Sequence, residues 1–557
     1  MSALATTPSP RPRTVRAAAG RSSGLGGSPT AGTAALLKFG LRRERIPLAA
    51  WIYGVLAIVL STLLAFAGLY PDAASRAQFA DSLANQPAFA VLTGKIFDSS
   101  LGGLTAWRTT LLGGVLAALM GIFTVVRRTR TDEEAGRTEL LLSTVVGRAA
   151  PLLAGLGTAL VGCSGIFVLT AGALIIKGEN VTGSLVLGLN LACVGLLFAA
   201  VAAVAAQLFD GARPALGISG LALGVSFGIR AVADAGGDGS AWVRWLSPLG
   251  WAENVEAFAA NNFAVIALML VTTALLVLLA LRLLGRRDVG LGLFPARLGA
   301  GRGTIGTPLG LARRLQLPAA IGWTAALAVF GLVIGGIVDS TKDLFSDSPQ
   351  MTEILKDMGG PGAITDAVLS ALGGMAGILA GIAAISAAGR MNGEEQSERA
   401  ALLLATPVPR PRWLASHVLF ALVVPTVMLV AAGITTGVLH GARSGDFANG
   451  FGDSVRTMLA QLPACWVVGG IAVAIFGLLP RLWVTSWIVL VAAVLIAQLG
   501  PALQLPRWLL DLSPFVHSGT VATSGIPWLA MGVLTMIAAL FLAIGFVGFR
   551  RRDLMSR

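Results

Sequence analysis

Charged residues are scarce in this 557-residue chain, 12% against 55% hydrophobic, and the few that recur in a pattern are where any chemistry must reside. TDEEAGRTELLLSTVVGR, Thr131 to Arg148, is followed 262 residues later by GEEQSERAALLLATPVPR, Gly393 to Arg410. Each passage opens on acids, continues through an Arg and a Leu triplet, and closes on an Arg. Neither contains a nucleophile beside a base or a set of metal ligands, so the chemistry it suits is recognition between charged surfaces rather than catalysis.

A search for other reactive groups returns little. The one Gly-Lys, Gly94-Lys95, is preceded by Phe89 where a phosphate-binding loop needs its first glycine and is followed by Ile96. That removes the backbone cradle and the hydroxyl that such a loop gives to phosphate and Mg, so the chain hydrolyses no ATP by itself. Cys163, Cys193 and Cys465 lie far apart, with no CxxC spacing. His417, His440 and His517 are isolated, and neither a disulfide framework nor a metal site is expected.

The elements that must position the charged passages are set by composition. A mean hydropathy of +0.79 leaves too little polar surface to coat a soluble globule of this size, whereas lipid requires none. Charge-free apolar windows predict about twelve spans, over 46–69, 109–126, 151–176, 184–206, 214–233, 263–281, 319–338, 368–388, 414–439, 457–479, 482–500 and 528–549. With both termini cytoplasmic, most Lys and Arg fall on the inner side and the outer segments are net acidic. This asymmetry accounts for the net charge of +13 without nucleic acid. The first 33 residues, with Arg11, Arg13, Arg16 and Arg21 among Pro, Gly and Ser, are expected to be a disordered basic tail, within reach of anionic lipid. The first apolar run starts too late for a cleaved signal peptide and is long enough to stay as an anchor.

Further matches at nearly constant offset point to duplication. LRRERIP (Leu41 to Pro47) is echoed by ARRLQLP (Ala312 to Pro318), LSP at Leu246 by LSP at Leu512, and RRD at Arg286 by RRD at Arg551. The expected fold is an all-α polytopic membrane protein: two parallel six-helix halves, residues 34–281 and 311–557, joined by a cytoplasmic linker over 282–310 and related by a pseudo-two-fold axis. Each half begins with a short basic stretch ending in Pro, suited to a helix lying at the inner interface. The acidic passages, between spans two and three and again between eight and nine, are expected as short helices along the membrane, leucines toward the bundle and charges toward the cytoplasm. A solvated topogenic loop is the plainer alternative.

The spans hold almost no titratable groups, which counts against proton coupling. Asn190 and Gln461 suit either an apolar pathway or hydrogen bonds between helices. The outward stretch from Asp347 to Gly362 places Met351, Ile354, Leu355 and Met358 on one helical face.

Together, the EExxxR…LLLxT…R passage, its second copy, the LSP segments and the terminal RRD resemble the permeases of actinobacterial ABC exporters of polyketide antibiotics, the tetronasin type within the ABC-2 class. The similarity runs from about residue 35 to 557. It implies a multi-pass permease of the bacterial cell membrane, without an ATPase site of its own, exporting hydrophobic drugs, antibiotics or lipophilic metabolites. The partner implied is a cytoplasmic ABC ATPase homodimer that binds the ATP and Mg. By position, Asp132, Glu133, Glu134 and Arg137, with Glu394, Glu395 and Arg399, become coupling residues at that ATPase. Ser247, Pro248, Ser513 and Pro514 fall where such permeases cap the exit with re-entrant half-helices; a Pro-containing outer loop accounts for them equally. Glu134 is matched by Gln396 and Glu139 by Ala401, so equal coupling at the two sites is not assured. The alternative is an ion-coupled drug exporter of the major facilitator class, whose GxxxDxxGRR loop the passage around Asp132 matches poorly. A membrane enzyme would need clustered acids or histidines that Glu253 and Glu256 alone do not supply.

Overall fold

The computed structural model describes residues 28–84, 94–235, 237–294, 303, 305–346, 361–499, 506–518 and 525–554. The basic tail with Arg11, Arg13, Arg16 and Arg21, and the face formed by Met351, Ile354, Leu355 and Met358, lie outside these residues. The chain forms two compact units, one made of most residues before Leu298, the other chiefly of those after it.

The first unit is built from α1 (Thr33–Leu69), the first residues of α2 (Ala73–Ala84), which from Gln78 on counts with the second unit, α3 (Leu101–Arg128), the short α4 (Arg130–Glu134) and α5 (Arg137–Leu142), α6 (Ala150–Ile176), α7 (Val181–Leu208), α8 (Ala212–Ala235), the seven-residue α9 (Pro248–Asn254) and α10 (Phe263–Arg286). The second contains α11 (Pro308–Ser346), α12 (Pro361–Gln396), α13 (Arg399–Leu404), α14 (Arg410–Ser444), α15 (Phe447–Leu459), α16 (Leu462–Leu478), α17 (Thr485–Leu499), α18 (Arg507–Leu510) and α19 (Trp528–Arg551).

Among the described residues eleven helices are long and apolar enough to cross a membrane. The twelfth expected span is α17, whose 15 residues rise roughly 22 Å, short of a hydrocarbon core of about 30 Å. Two expectations at the starts of the halves are corrected. The basic stretches before Pro47 and Pro318 are not separate interfacial helices, because α1 and α11 run straight through both prolines. A proline inside a helix removes one backbone donor but need not end it when neighbouring helices support the turn.

Helix contacts are made by small residues, which let backbones approach where there is no hydrophobic gain from leaving lipid. In the first unit the Cα of Gly121 faces the Gly195 carbonyl so closely that a methyl group would collide with it; in the second, Gly477 and Gly545 meet in the same way. α7 is the most enclosed span, 78% of its apolar window being buried, and it carries the core side chains Leu187, Leu191 and Phe198.

Candidate functional site

The acidic passages lie where a long helix ends and a turn redirects the chain. In the first unit α4 and α5 meet at Gly136, φ +70°; in the second α12 and α13 meet at Glu398, φ +60°. Both are left-handed, a conformation that is free for glycine and costly for a residue with a Cβ. The turn folds the acids back against the bundle instead of leaving them in solvent.

Glu133 is buried, 9% exposed. Arg287 of the first RRD grips it with two parallel bonds, Nη1 to Oε1 at 2.7 Å and Nη2 to Oε2 at 3.0 Å. The Gly290 amide donates to Oε1 at 2.7 Å, and Arg130 Nη1 lies 3.2 Å from Oε2. Two arginines on one carboxylate leave an excess positive charge, which backbone carbonyls absorb. Arg130 donates to Ala206 O and Leu291 O, and Arg287 Nε donates to Gln207 Oε1 at 2.7 Å. Ala206 and Gln207 close α7, whose C-terminal dipole favours cations.

The second unit builds the same contact from its own residues. Glu395, 3% exposed, receives both Nη atoms of Arg552 at 2.6 Å. Arg552 Nε donates to Gly477 O at 3.1 Å and Nη2 to Phe476 O at 3.2 Å, again at a helix C-terminus, that of α16. Here the guanidinium also lies 5.1 Å from the ring centres of Phe476 and Phe549, a cation–π arrangement. The closing arginines match as well: Arg148 donates to Arg287 O, and Arg410 to Arg552 O at 2.8 Å. So do the acid-to-arginine pairs within each passage, Asp132 with Arg137 at 2.7 Å and Glu394 with Arg399 at 3.1 Å.

These contacts correct the expected orientation. Glu133, Glu394 and Glu395 are buried, while Leu140 and Leu402, expected to face the bundle, are 73% and 74% exposed. The reason is electrostatic: Glu133 and Glu395 each neutralise an arginine that closes its half, and a buried arginine without its partner is far more costly than an exposed leucine. Glu134 is exposed, yet its Oε1 accepts from the Ala212 amide at 2.8 Å and so caps the start of α8; Gln396 is exposed as well. Sequence reasoning discounted the Leu triplets, and their exposed first members, Leu140 and Leu402, are the residues it missed. Acids already committed to the RRD segments were the available signal.

At the opposite end of each bundle, Ser247 caps α9 by accepting from Gly250 N and donates to Ser226 O at 2.6 Å. Ser513 donates to Ala493 O at 2.7 Å. The two LSP serines therefore pin the segments led by Pro248 and Pro514 to α8 and α17. Asn190 donates to Ala252 O at 2.8 Å, fastening α9 to α7, as expected of a hydrogen bond between helices. Glu253, expected at the outer interface, is buried and pairs with Arg230 at 3.3 Å. An arginine inside a span needs such a partner, and that need was legible from Arg230.

The family model described as multidrug efflux system permease Rv1217c, C-terminal domain, matches residues 34–283 and 305–550. The chain belongs to this family. The multidrug efflux system permease protein Rv1217c of Mycobacterium tuberculosis (strain ATCC 25618 / H37Rv) is 37% identical over 531 residues, 95% of this chain and 96% of that relative. The matched regions contain both acidic passages, both LSP segments and the first acid of each buried pair, and the chain is thereby a multi-pass membrane permease.

Proposed function

We propose that this chain is the permease of an exporter that carries hydrophobic drugs or lipophilic metabolites out of a bacterial cell, driven by a separate cytoplasmic ABC ATPase that holds ATP and Mg. Membership in a multidrug efflux family supports the substrate class. The ABC-2 resemblance, both termini inside and duplication of an ancestral six-helix half belong to the same reading.

One observation carries it: in each unit the acids before a left-handed turn are tied inward, and the short helix after the turn presents an exposed leucine, Leu140 or Leu402. Exposed leucines on a polar loop suit burial by a protein partner, and two such loops suit a dimeric one. The bidentate pairs make the loops rigid handles. A subunit that pushes on α4–α5 moves Glu133, and with it Arg287 at the end of α10 and the C-terminus of α7. Glu395 transmits the same push through Arg552 to the ends of α19 and α16. In this account Asp132, Arg137, Glu394 and Arg399 shape the docking surface, Glu133 and Glu395 relay motion, and Glu134 holds the loop to α8. Ser247, Pro248, Ser513 and Pro514 anchor the far-side segments that would open as the exit. No observation at the site favours the facilitator alternative.

Transport into inside-out vesicles containing the chain tests the reading. Accumulation of a lipophilic fluorescent drug should require ATP and persist when the proton gradient is collapsed. Accumulation driven by the gradient without ATP would refute it.

A further inference from the structure

Beside the first acidic loop lies a cavity of about 280 Å³. Its walls are Leu36, Phe39, Gly40 and Arg43 of α1, Arg128 at the end of α3, Asp132 and Arg137 of the loop, and Gly155 of α6. Three guanidinium groups converge on one carboxylate: Asp132 lies 3.2 Å from Arg43, 3.6 Å from Arg128 and 2.7 Å from Arg137. Each guanidinium carries five donors, so a single aspartate leaves the site rich in unsatisfied N–H groups and net positive. Glu44 offsets part of this from behind, 3.6 Å from Arg128 and 3.2 Å from Arg127. Buried Arg128 keeps its Nε without a hydrogen-bond acceptor among the described residues, while the side chains of Arg43 and Arg137 are 44% and 50% exposed. The remaining wall is apolar, and Phe39 is 59% exposed beside it.

We propose that this cavity binds the phosphate headgroup of an anionic phospholipid of the inner leaflet, arginines on the phosphate and acyl chains along Leu36 and Phe39. A basic pocket between helices on the cytoplasmic side, with an apolar flank, has the chemistry for such a lipid, and guanidinium matches phosphate in pairs of bonds. Gly40 and Gly155 line the cavity, and a Cβ at either would touch the Arg128 side chain. At the position equivalent to Gly155 the second half has His417, which stacks edge-on against Trp413 and accepts from Gln316 Nε2 at 3.1 Å; Arg314 stands where the first half has Arg43. The site is thus assigned to the first half alone. Because Asp132 and Arg137 also belong to the docking loop, the lipid would order that loop. The inference rests on the membrane reading, not on the ATPase.

The test is native mass spectrometry of the full chain in detergent, titrated with dioctanoyl phosphatidylglycerol or dioctanoyl phosphatidylcholine. The phosphatidylglycerol should bind preferentially. Arg43→Gln and, separately, Arg137→Gln should each weaken it about fivefold, Arg43→Lys, which keeps the charge but not the paired bonds, should restore only part of that loss, and Arg314→Gln should leave it unchanged. Equal binding of both lipids, full binding to Arg43→Gln and Arg137→Gln, or the same loss in Arg314→Gln would overturn the proposal. Displacement by equimolar inorganic phosphate would also overturn it, assigning the arginines to a free anion. Failure of any of these leaves ATP-dependent transport in vesicles untouched, so the two readings are separable.

Discussion

The first and second halves make the same pair of contacts with different surroundings. Glu133 and Glu395 each receive a bidentate arginine from the close of their own half, and Arg148 and Arg410 each reach that arginine's carbonyl. Around this shared core little else is equal. Arg287 shares its glutamate with Arg130 and leans on Gln207, whereas Arg552 rests between two phenylalanines. Gly136 turns the first loop without strain; Glu398 makes the same turn with a side chain. The difference separates what the handle requires, a loop acid on a helix-end arginine, from what only supports it.

The largest expected effect breaks the handle itself. Glu133→Ala takes the shared carboxylate from two buried arginines, Arg130 and Arg287, and should lower stability by about 3–5 kcal/mol. Glu395→Ala takes the carboxylate from Arg552, which two aromatic faces still hold, and should cost about 2 kcal/mol. Thermal unfolding of the two purified variants measures the gap; equal losses would remove the distinction between the halves. Next come Leu140→Asp and Leu402→Asp, which touch no internal partner and should leave the unfolding temperature alone while weakening ATPase association at least about tenfold each, since burying a leucine contributes about 1.5–3 kcal/mol. Smaller still is the turn. Glu398→Gly should gain, and Gly136→Ala lose, roughly 1 kcal/mol, read from the same melts.

The smallest effect concerns the residue before the N-cap of α7, Glu179 ahead of Asn180, matched by Gly445 ahead of Asp446 at the start of α15. Burial raises the Glu179 carboxyl above the usual carboxylate range, against a hydrogen bond from Gly102 and the charge of Arg76. A group whose folded pKa is raised contributes stability below its unfolded pKa and loses it as pH rises through the folded value. Glu179→Gln should therefore melt like the parent in acid and above it once the pH passes the raised value. A difference in the opposite direction would place the carboxylate in a favourable site.

The helical class and the spans were legible because lipid imposes length and apolarity on every crossing segment. The pairing of far-separated motifs was nearly so: EE and RRD recurred at almost one offset, and only their mutual contact was missing. What misled was treating charge as solvent-seeking. Acids in a short loop beside a helix-ending arginine are pulled inward, and leucines displaced from that position turn outward, which Glu133 and Leu140 show together. Arg230 falls near the outer end of the fifth expected span, and its partner Glu253 reads in sequence as part of an outer segment, so the pair was not legible. The cavity beside Arg43 is lined jointly by residues of α1, α3, the acidic loop and α6, a convergence that no periodicity announces.

The central claim is that two latched loops seat a separate ATPase. It is tested most directly by purifying the tagged chain and its Leu140→Asp, Leu402→Asp double variant from native membranes in mild detergent and quantifying the ATPase that accompanies each. The account predicts about two ATPase copies per parent chain, as a dimer on two docking loops requires, and almost none with a double variant of unchanged melting temperature. Full ATPase recovery with the double variant, or none with the parent, would contradict it.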